Sequence, residues 1–497
     1  MLEAYGTAIA TLFQPINLLI MLVAVCVGLI VGIIPGIGGG TMVALLLPFV
    51  FGRSADTALI LLVSLHAVVF TSGGITSILL NMPGESSSAA TMLDGFPMAQ
   101  KGEAGRAIGA AVTSSMFGGI VPVIFALAMI PLIMPMLLAF GQPEMAALVL
   151  AGILFMSILT RGAVGKGIIS GMVGLLISVI GYHAVTGVQR FSFGIPPLHD
   201  GISIIPLALG LFGISEMFDL VVTGQTKIAQ TLNSKYTGVW EGVKDVWRHK
   251  WLWLRSTIIG YIVGIIPGIG GQVATWVCYG QAKQTSKHPE KFGTGAVEGV
   301  IAPEAADNAK EAGSLLTTMA FGIPGGAVMA LMLSAFAMVG VTPGPKMMVD
   351  NLPLALTLLL GIALANIIGA VICLLSAPSM ARLATVRMEY LFPAILIVSL
   401  AGIYAATLSP FNFAVALAFG LLGLAMKRYG YSRPALILGF ALGALFENYT
   451  LLSIKLYGPF FLFRPIPLAI LAITLLVLAY PYLTRAIARF KQRRAAS

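Results

Sequence analysis

The sequence predicts an all-α polytopic membrane protein of about a dozen transmembrane helices in two repeats. Three observations lead to that fold class. First, the 497 residues are 58% hydrophobic and 10% charged, with a mean hydropathy of +0.96, whereas about a quarter of the residues in a soluble domain are charged. Second, apolar stretches of helix-forming length recur along the chain. Third, one eight-residue motif occurs twice inside such stretches.

The apolar stretches account for most of the expected membrane crossings. A bilayer core needs about 20 apolar residues per helix, so the shorter stretches are expected to be tilted helices or half-spans. We expect broken or hairpin-like helices within 35–100 and 260–345. Longer helices are predicted near residues 16–34, 107–130, 144–160, 167–182, 203–222, 354–377, 391–408, 413–426, 434–447 and 466–484.

The repeated motif predicts helices that are broken inside the membrane. Gly32–Gly39 reads Gly-Ile-Ile-Pro-Gly-Ile-Gly-Gly and recurs unchanged as Gly264–Gly271, and Thr76–Gly84 matches Thr317–Gly325 up to a final Pro-Gly. In hydrocarbon, such breaks are tolerated only where they line a cavity or are buried in protein. Kinking of packed helices is the simpler interpretation of one motif. Breaks in matched pairs are typical of a two-repeat transporter whose site lies between the repeats.

The motif positions define the predicted organisation. Residues 1–222 form the first repeat, residues 223–256 a cytoplasmic or interfacial amphipathic linker, and residues 257–497 the second repeat. The linker carries tryptophans and cations at helical spacing, which is typical of a helix at the membrane surface. The sequence leaves the number of crossings between the copies open, and we expect the inverted arrangement. Basic residues in the connections and in the tail 485–494 predict a cytoplasmic C-terminus.

The helix starts that follow the breaks predict an anion site. The first amides of a helix have no internal partner and lie at its positive end, so they bind carboxylates. Glycines allow the close approach that this requires, and backbone carbonyls freed at the breaks are candidate Na⁺ ligands. The predicted substrate-binding residues are Pro35, Gly36, Gly38, Gly39, Thr41, Asn81, Pro83, Gly84, Ser86, Gly268, Gly270, Gly271, Thr275, Thr318, Pro324, Gly325 and Gly326.

A second set of residues is predicted to couple transport to an ion, either Na⁺ or H⁺. Glu304, Asp307, Asn308 and Glu311 recur at i, i+3, i+4 and i+7 and so share one face of a helix, within a cluster of charges that also contains Lys310. Ionisable residues inside a membrane are costly and usually functional, and Glu304, Asp307 and Asn308 are the candidate coupling residues. Asp94 follows the first pair of breaks and completes this set. The alternatives are capping of a helix N-terminus by Glu304 and an Asx turn made by Asp94 before Gly95.

Several function classes are excluded or disfavoured. An intramembrane hydrolase needs a nucleophile with a base or paired aspartates, and the sequence offers neither at motif spacing, so we expect no enzyme and no cofactor. His66 stands alone in an apolar span and is interpreted as a hydrogen-bonded packing residue rather than a proton relay. The Gly-rich motifs lack the βαβ context of a nucleotide site. The net charge of +10 is distributed over short connections and does not indicate nucleic-acid binding.

These motifs resemble the large membrane subunit of the tripartite tricarboxylate transporters, the TctA family. The resemblance covers nearly the whole chain. It rests on both copies of the eight-residue motif and on the segments Ile78–Gly84, Asp94–Ala99, Lys101–Gly105, Ala302–Ala309, Gly322–Gly325 and Gly340–Pro345. Members of the family tend to have Asn where this chain has Asp307 and a small polar residue where it has Gly326.

The resemblance implies a function and partners. The chain would be a secondary permease of the bacterial inner membrane that takes up tricarboxylates or related organic carboxylates, driven by an ion gradient and not by ATP. Its partners would be a small four-helix membrane subunit like TctB and a periplasmic solute-binding protein like TctC. A stand-alone carboxylate symporter or an ion exchanger without a binding protein is the alternative. A passive channel is less consistent with paired breaks.

Overall fold

The computed structural model describes residues 1–34, 38–158, 164–183, 187–223, 237–266, 271–383, 397, 400–404 and 407–476. These residues are mainly helical. In chain order the α-helices are α1 (Leu2–Leu12), α2 (Pro15–Ile33), α3 (Gly39–Val50), α4 (Ala55–Leu80), α5 (Ala89–Gln100), α6 (Ala104–Leu138), α7 (Gln142–Ile158), α8 (Val164–Ser178), α9 (Ile204–Ala208), α10 (Ser215–Thr223), α11 (Val239–Arg248), α12 (Lys250–Ile265), α13 (Gly271–Thr285), α14 (Glu298–Phe321), α15 (Ala327–Met338), α16 (Pro345–Asp350), α17 (Leu352–Leu383), α18 (Phe411–Tyr429), α19 (Arg433–Tyr457) and α20 (Pro465–Leu476).

The predicted all-α membrane fold is confirmed. Within the described residues, six helices are long and apolar enough to span a bilayer, namely α2, α4, α6, α17, α18 and α19, and five shorter helices are also apolar. A helix satisfies its own backbone hydrogen bonds, which lipid does not do. Most of the predicted span 391–408 and the tail from residue 477 lie outside the described residues. The predicted number of crossings therefore stays a prediction.

Each region expected to contain broken helices has one long helix, α4 or α14, flanked by short helices. Helices α3, α5 and α15 have 12 residues each and α13 has 15. A 12-residue helix is about 18 Å long, whereas the hydrocarbon core is about 30 Å thick. All four helices are therefore shorter than the hydrocarbon core is thick.

The first of two compact units comprises Met1–Pro135 and Ser203–Arg428, with α4 and α14 at its core. Both helices are buried along almost their entire length. Helix α4 is surrounded by α2, α3, α5 and α17, and α14 by α12, α13, α5 and α16. An almost wholly apolar helix such as α4 is expected to be buried. Helix α14 is equally buried although it carries several charged residues.

The second compact unit comprises Met136–Ile202 and Tyr429–Ser497. Its helices α8 and α19 pack closely, because a Cβ on Gly174 or Gly439 would overlap the backbone of the facing helix. Two short antiparallel strands, Gly181–Tyr182 and Gln189–Arg190, follow α8. Arg190 donates two hydrogen bonds to Glu447, at 2.6 and 3.0 Å. This division by packing is separate from the predicted repeat boundaries, which stay a prediction.

The described part of the predicted linker contains α11 and the start of α12, whereas residues 224–236 lie outside the described residues. Trp240, Trp247 and Trp251 are 74%, 57% and 74% exposed. The opposite side of α11 is attached to the first unit, because Arg106 donates to the buried Asp245 at 2.6 Å. Exposed tryptophans are typical of a helix at the membrane surface, and the role of this segment as a linker stays a prediction.

Candidate functional site

The two matched pairs of breaks have matched backbone geometry. Helix α2 ends at Ile34 with φ −80° and ψ 112°, and α12 ends at Ile266 with φ −80° and ψ 113°. Helices α4 and α14 both end in a left-handed residue, Asn81 with φ +52° and Gly322 with φ +67°. Left-handed geometry is accessible to Gly and tolerated by Asn. Both copies of each sequence motif therefore end a helix in the same way.

The helices before the breaks also pack alike. A Cβ on Gly28 of α2 would lie 2.6 Å from the carbonyl oxygen of Leu65 in α4. In the matched pair, a Cβ on Gly260 of α12 would lie 2.6 Å from the carbonyl oxygen of Ala306 in α14. Glycine is required at both positions because the two helix backbones touch there.

A threonine hydroxyl satisfies a freed carbonyl at each break. Thr76 donates to the carbonyl of Ile33 at 2.9 Å, and Thr317 donates to that of Ile265 at 3.1 Å. The last carbonyls of a helix have no partner within the helix, and in an apolar interior they need one from elsewhere. Each break is therefore held by a side chain of the long buried helix beside it.

In the first repeat, a carboxyl side chain of this protein lies at the start of α3, the helix that follows the break between α2 and α3. The amide N–H of Gly39, the first residue of α3, donates to Glu85 Oε2 at 2.8 Å. Charge-assisted bonds of this kind are strong, and the helix dipole adds to them. The amide of Gly39 therefore already has an internal carboxyl partner, and the binding of a substrate at this helix start stays a prediction. Glu85 follows Pro83 and Gly84 directly, and this adjacency to the break is the signal that could have identified it.

The two breaks of the second repeat, before α13 and before α15, are lined by different side chains. The amide of Gly325 donates to Thr318 Oγ1 at 3.4 Å, and a Cβ on Gly325 would overlap the side chain of Ser314. A Cβ on Gly271, at the start of α13, would overlap the side chain of Lys310. In contrast, no heavy atom lies within 4 Å of the corresponding point on Gly326. The second repeat therefore has open space at Gly326, the position matched to Glu85.

A buried ionic network connects α4 and α14. His66 Nε2 lies 2.6 Å from Glu311 Oε2, and Lys310 Nζ lies 2.7 Å from Glu311 Oε1 and 2.8 Å from Asp307 Oδ1. Ser87 completes the network by donating to Asp307 Oδ2 at 2.7 Å. The hydrogen bond expected for His66 is confirmed, and its partner is a carboxylate. The network includes charges from α14, a histidine from α4 and a hydroxyl from the turn before α5.

Glu304 lies on the same helix but has no cationic partner among the described residues. Thr91 of α5 donates to its Oε1 at 2.7 Å, and Ser115 of α6 donates to its Oε2 at 2.8 Å. Its side chain is fully buried. Two hydroxyls are thus the only described hydrogen-bond partners of a carboxyl group removed from water. Glu304 is not an N-terminal cap, because it lies more than one turn inside α14.

Asn308 links α14 to two other helices. Its Nδ2 donates to Asn366 Oδ1 of α17 at 2.5 Å and to Thr71 Oγ1 of α4 at 3.1 Å. Its buried Oδ1 has no hydrogen-bond partner among the described residues. An unsatisfied buried carbonyl oxygen is costly, so this atom is a free acceptor at the centre of the first unit.

Among the described residues, the charges of this buried region do not balance. Three buried carboxyl groups lie on α14, at Glu304, Asp307 and Glu311, and the two basic groups with them are Lys310 and His66. An uncompensated charge in an apolar interior is strongly unfavourable. Because three carboxyl groups face two basic groups, the region needs at least one proton on a carboxyl group or an added cation to approach neutrality.

Asp94 is not part of this network. Its Oδ1 accepts hydrogen bonds from the amides of Gly293, Gly295 and Ala296 at 2.8, 2.8 and 2.9 Å, and its Oδ2 accepts one from Tyr279 at 2.9 Å. It lies inside α5 and not in a turn. Both carboxyl oxygens of this buried side chain are therefore satisfied by hydrogen bonds. Asp94 therefore fixes α5 to the loop before α14, which is an anchoring role.

The other predicted residues lie around the breaks. Gly38 precedes α3, Thr41 lies in its first turn, and Ser86 begins a 3₁₀ turn. Thr275 donates to the carbonyl of Gln272 in its own helix. Pro83, Gly84 and Pro324 lie in the connecting loops. Four predicted residues lie outside the described residues: Pro35, Gly36, Gly268 and Gly270.

Several residues of the site were not predicted from the sequence. Lys310 was visible within the cluster of charges on α14, but its pairing with two carboxylates required the structure. Ser115 and Asn366 belong to long apolar helices and give no local signal in the sequence. They are brought to Glu304 and Asn308 by helix packing alone.

Comparison with protein families identifies the chain. Residues 18–438 match the model of the Tripartite tricarboxylate transporter TctA family. The chain belongs to the TctA family. A TctA protein is a transporter component and the family is not an enzyme family, so the predicted membrane transport role is confirmed at this level, and with it the resemblance seen in the motifs.

Two proteins of Agrobacterium vitis are similar to this TctA protein. An "Uncharacterized 52.8 kDa protein in TAR-I ttuC' 3'region" is 35% identical over 439 residues, which are 88% of this chain and 87% of that protein. An "Uncharacterized protein in TAR-II ttuC' 3'region" is 34% identical over 190 residues, which are 38% of this chain and 78% of that protein. No solved structure matches the chain.

Proposed function

We propose that this TctA protein is the permease subunit of an ion-coupled uptake system for tricarboxylates or related organic carboxylates. The observation that carries the proposal is the buried ionic region between the two pairs of broken helices. An anion entering this region meets more carboxyl groups than bases, so its entry is favourable only together with a cation or proton. Cotransport of an anion with a cation follows from this charge balance.

The substrate carboxylates would bind near the breaks. Helix starts with free amides bind anions, and Glu85 on the amide of Gly39 is an example within the chain. The second break has no such internal carboxylate at Gly326, and the ammonium group of Lys310 is close to the start of α13. We therefore assign the first substrate carboxylate to the second break.

An inverted arrangement of two repeats is part of the proposal. His66 in α4 contacts Glu311, and Gly74, two turns further along α4, contacts Glu304, which is earlier in α14. The two helices therefore run antiparallel. Because α4 and α14 carry the same motif at their ends, antiparallel packing supports repeats that are inverted in the membrane, the arrangement typical of alternating-access transporters.

Membership of the TctA family supports a proposal for the partners and the compartment. We propose that a TctB-like small membrane subunit and a TctC-like periplasmic binding protein act with this chain in the inner membrane of a bacterium. The C-terminus is proposed to lie in the cytoplasm, because basic residues accumulate in the tail. Either Na⁺ or H⁺ is the coupling ion at this level of the proposal. A stand-alone symporter or ion exchanger remains the second candidate, since the buried ionic region lies within this chain alone.

Uptake of labelled carboxylates tests the proposal. Spheroplasts would express the chain with the small subunit, and a panel of carboxylates starting with citrate would be added with and without the binding protein. We expect uptake only when the binding protein is present. Uptake that is the same without it would favour the stand-alone symporter. Absence of uptake for every carboxylate, with the protein shown to be inserted, would contradict the proposed function.

A further inference from the structure

Glu304 differs from every other buried carboxyl group described in the first unit. Asp307 and Glu311 pair with Lys310, and Asp94 accepts three backbone N–H bonds. Glu304 is met by hydroxyls alone, from Thr91 and Ser115. A backbone amide or an ammonium group can only donate, whereas a hydroxyl can both donate and accept. The surroundings of Glu304 therefore suit a neutral carboxylic acid as well as a carboxylate.

The geometry favours a proton over a metal cation at this carboxyl group. A Cβ on Gly74 would lie 2.5 Å from Oε1 and 2.9 Å from Oε2, so the carboxyl group lies directly against the backbone of α4. Hard cations collect about six or more oxygen ligands. Here each carboxyl oxygen already has a direct hydrogen bond, and glycine packing occupies the adjacent face. A proton needs no such space.

The charged groups around Glu304 favour its neutral form. On α14 the nearest are Asp307, which repels a second negative charge, and Lys310, which is engaged by Asp307 and Glu311. From α4, His66 pairs with Glu311, and α17 contributes the neutral Asn366. In the segments before α6, Asp94 accepts hydrogen bonds from backbone amides and Glu85 accepts one from Gly39. At the start of α6, Arg106 pairs with Glu103 and Asp245. The charged side chains of α12, α13 and α16 are exposed, namely Lys250, Arg255, Lys283, Lys346 and Asp350.

We propose that Glu304 carries the coupling proton of this transporter. The inference rests on the proposed function and names its coupling ion. When a proton binds to the Glu304 carboxylate, the O–H formed donates to Thr91 or Ser115, whose hydroxyl rotates to accept it. The buried region loses one negative charge beside Asp307, which lowers the electrostatic repulsion of the anionic substrate. Release of the proton on the other side restores the carboxylate and favours release of the anion.

The test compares driven uptake with exchange in proteoliposomes. These contain the chain with its small subunit, the binding protein is added, and the membrane potential is clamped at zero with valinomycin and equal K⁺. The probe is the carboxylate that the wild-type protein takes up best from the panel. A gradient of one pH unit supplies up to about tenfold accumulation per coupled proton. We expect Glu304→Gln, which mimics the protonated acid, to lose this accumulation and to keep exchange of labelled for unlabelled carboxylate.

Further variants show whether the effect comes from the proton. Glu304→Asp keeps a carboxyl group and is expected to restore part of the pH-driven accumulation. Ser115→Ala and Thr91→Val remove one hydrogen-bond partner each and are expected to shift the pH at which uptake is half-maximal by about one unit. Because both retain Glu304, they keep the proposal testable where Glu304→Gln does not fold.

Three results would overturn the proposal. Accumulation by Glu304→Gln with the pH profile of the wild type would remove Glu304 from coupling. Accumulation by the wild type that follows a Na⁺ gradient, with no proton entry reported by a pH-sensitive dye inside the vesicles, would exclude a coupling proton and leave the proposed function intact. Absence of both uptake and exchange in the wild type would overturn the proposed function and this inference together.

Discussion

The two pairs of broken helices share a backbone but differ in chemistry. Helices α2 and α12 end with the same dihedral angles, and glycines at Gly28 and Gly260 allow the same close packing. However, the buried charges lie on α14, whereas α4 contributes His66 as its single ionisable residue in the network. The backbone motif therefore provides a scaffold that is used twice, and the side chains give one copy the ionic role.

The helix starts differ in the same way. Glu85 accepts a hydrogen bond from the first amide of α3. Gly326 is the residue of the second repeat that matches Glu85, and the space around its Cβ position is open. The first repeat thus places an acidic side chain at this point, and the second repeat leaves open space at the matched position. The following predictions test this comparison, from the largest expected effect to the smallest.

Gly325→Val is expected to abolish uptake. A Cβ at this position overlaps Ser314, and a branched side chain cannot be accommodated between two backbone segments without moving the break. Uptake of the labelled carboxylate in spheroplasts measures the effect, and size-exclusion chromatography in detergent shows whether the protein is folded.

A glycine of α13 that lies outside the predicted site provides the matched control for this prediction. Gly280→Val adds the same side chain at a position where no heavy atom lies within 4 Å of the added Cβ. It is expected to fold normally and to keep at least half of the uptake. Normal uptake by Gly325→Val would show that close packing at the second break is dispensable.

Lys310→Met is expected to be the most destabilising change in the ionic network. It leaves Asp307 without its cation and Glu311 with His66 alone. Breaking a buried ion pair by removing one partner costs about 3–5 kcal/mol. The melting temperature in detergent should therefore fall markedly.

Adding Asp307→Asn to Lys310→Met should recover part of the lost stability, because the stranded carboxylate is then neutral. If the double variant is no more stable than Lys310→Met, the pairing of Lys310 with Asp307 contributes little. The first repeat has no equivalent of the Lys310–Asp307 pair, because Val69 stands at the position matched to Lys310.

Asp307→Asn alone is expected to change the ion dependence of uptake more than the choice of substrate. It removes the negative charge next to Glu304 while Lys310 keeps Glu311 as its partner. Uptake of the carboxylate panel, measured against Na⁺ concentration and against pH, tests this. Unchanged ion profiles would exclude Asp307 from the coupling site.

Glu85→Gln should have the smallest effect. The amide oxygen still accepts the N–H of Gly39, and the charge interaction with a helix start contributes about 0.3–1 kcal/mol. Loss of one negative charge near the breaks should lower the KM for the anion two- to fivefold. A raised KM would show instead that Glu85 supports substrate binding, and that the two breaks do not divide their roles as proposed.

The sequence predicted the scaffold well because its signals are local. The Pro-Gly motifs break helices wherever they occur, and Asn81 and Gly322 end α4 and α14 as their residue types favour. The carboxyl groups of α14 were predicted to act together, since residues three and four apart share a helix face. Asp94 was grouped with them because it is charged and near a break, but its partners are loop amides far along the chain.

The sequence alone determined the membrane fold class, the paired breaks and the candidate charges, because composition and periodicity reflect burial in lipid and local backbone preference. Tertiary structure decided which of those charges are compensated. Glu304 and Glu311 lie on one helix, yet one meets hydroxyls from Thr91 and Ser115 and the other meets bases. Hydrogen bonds between residues about 200 positions apart depend on how helices pack, and no local pattern records that.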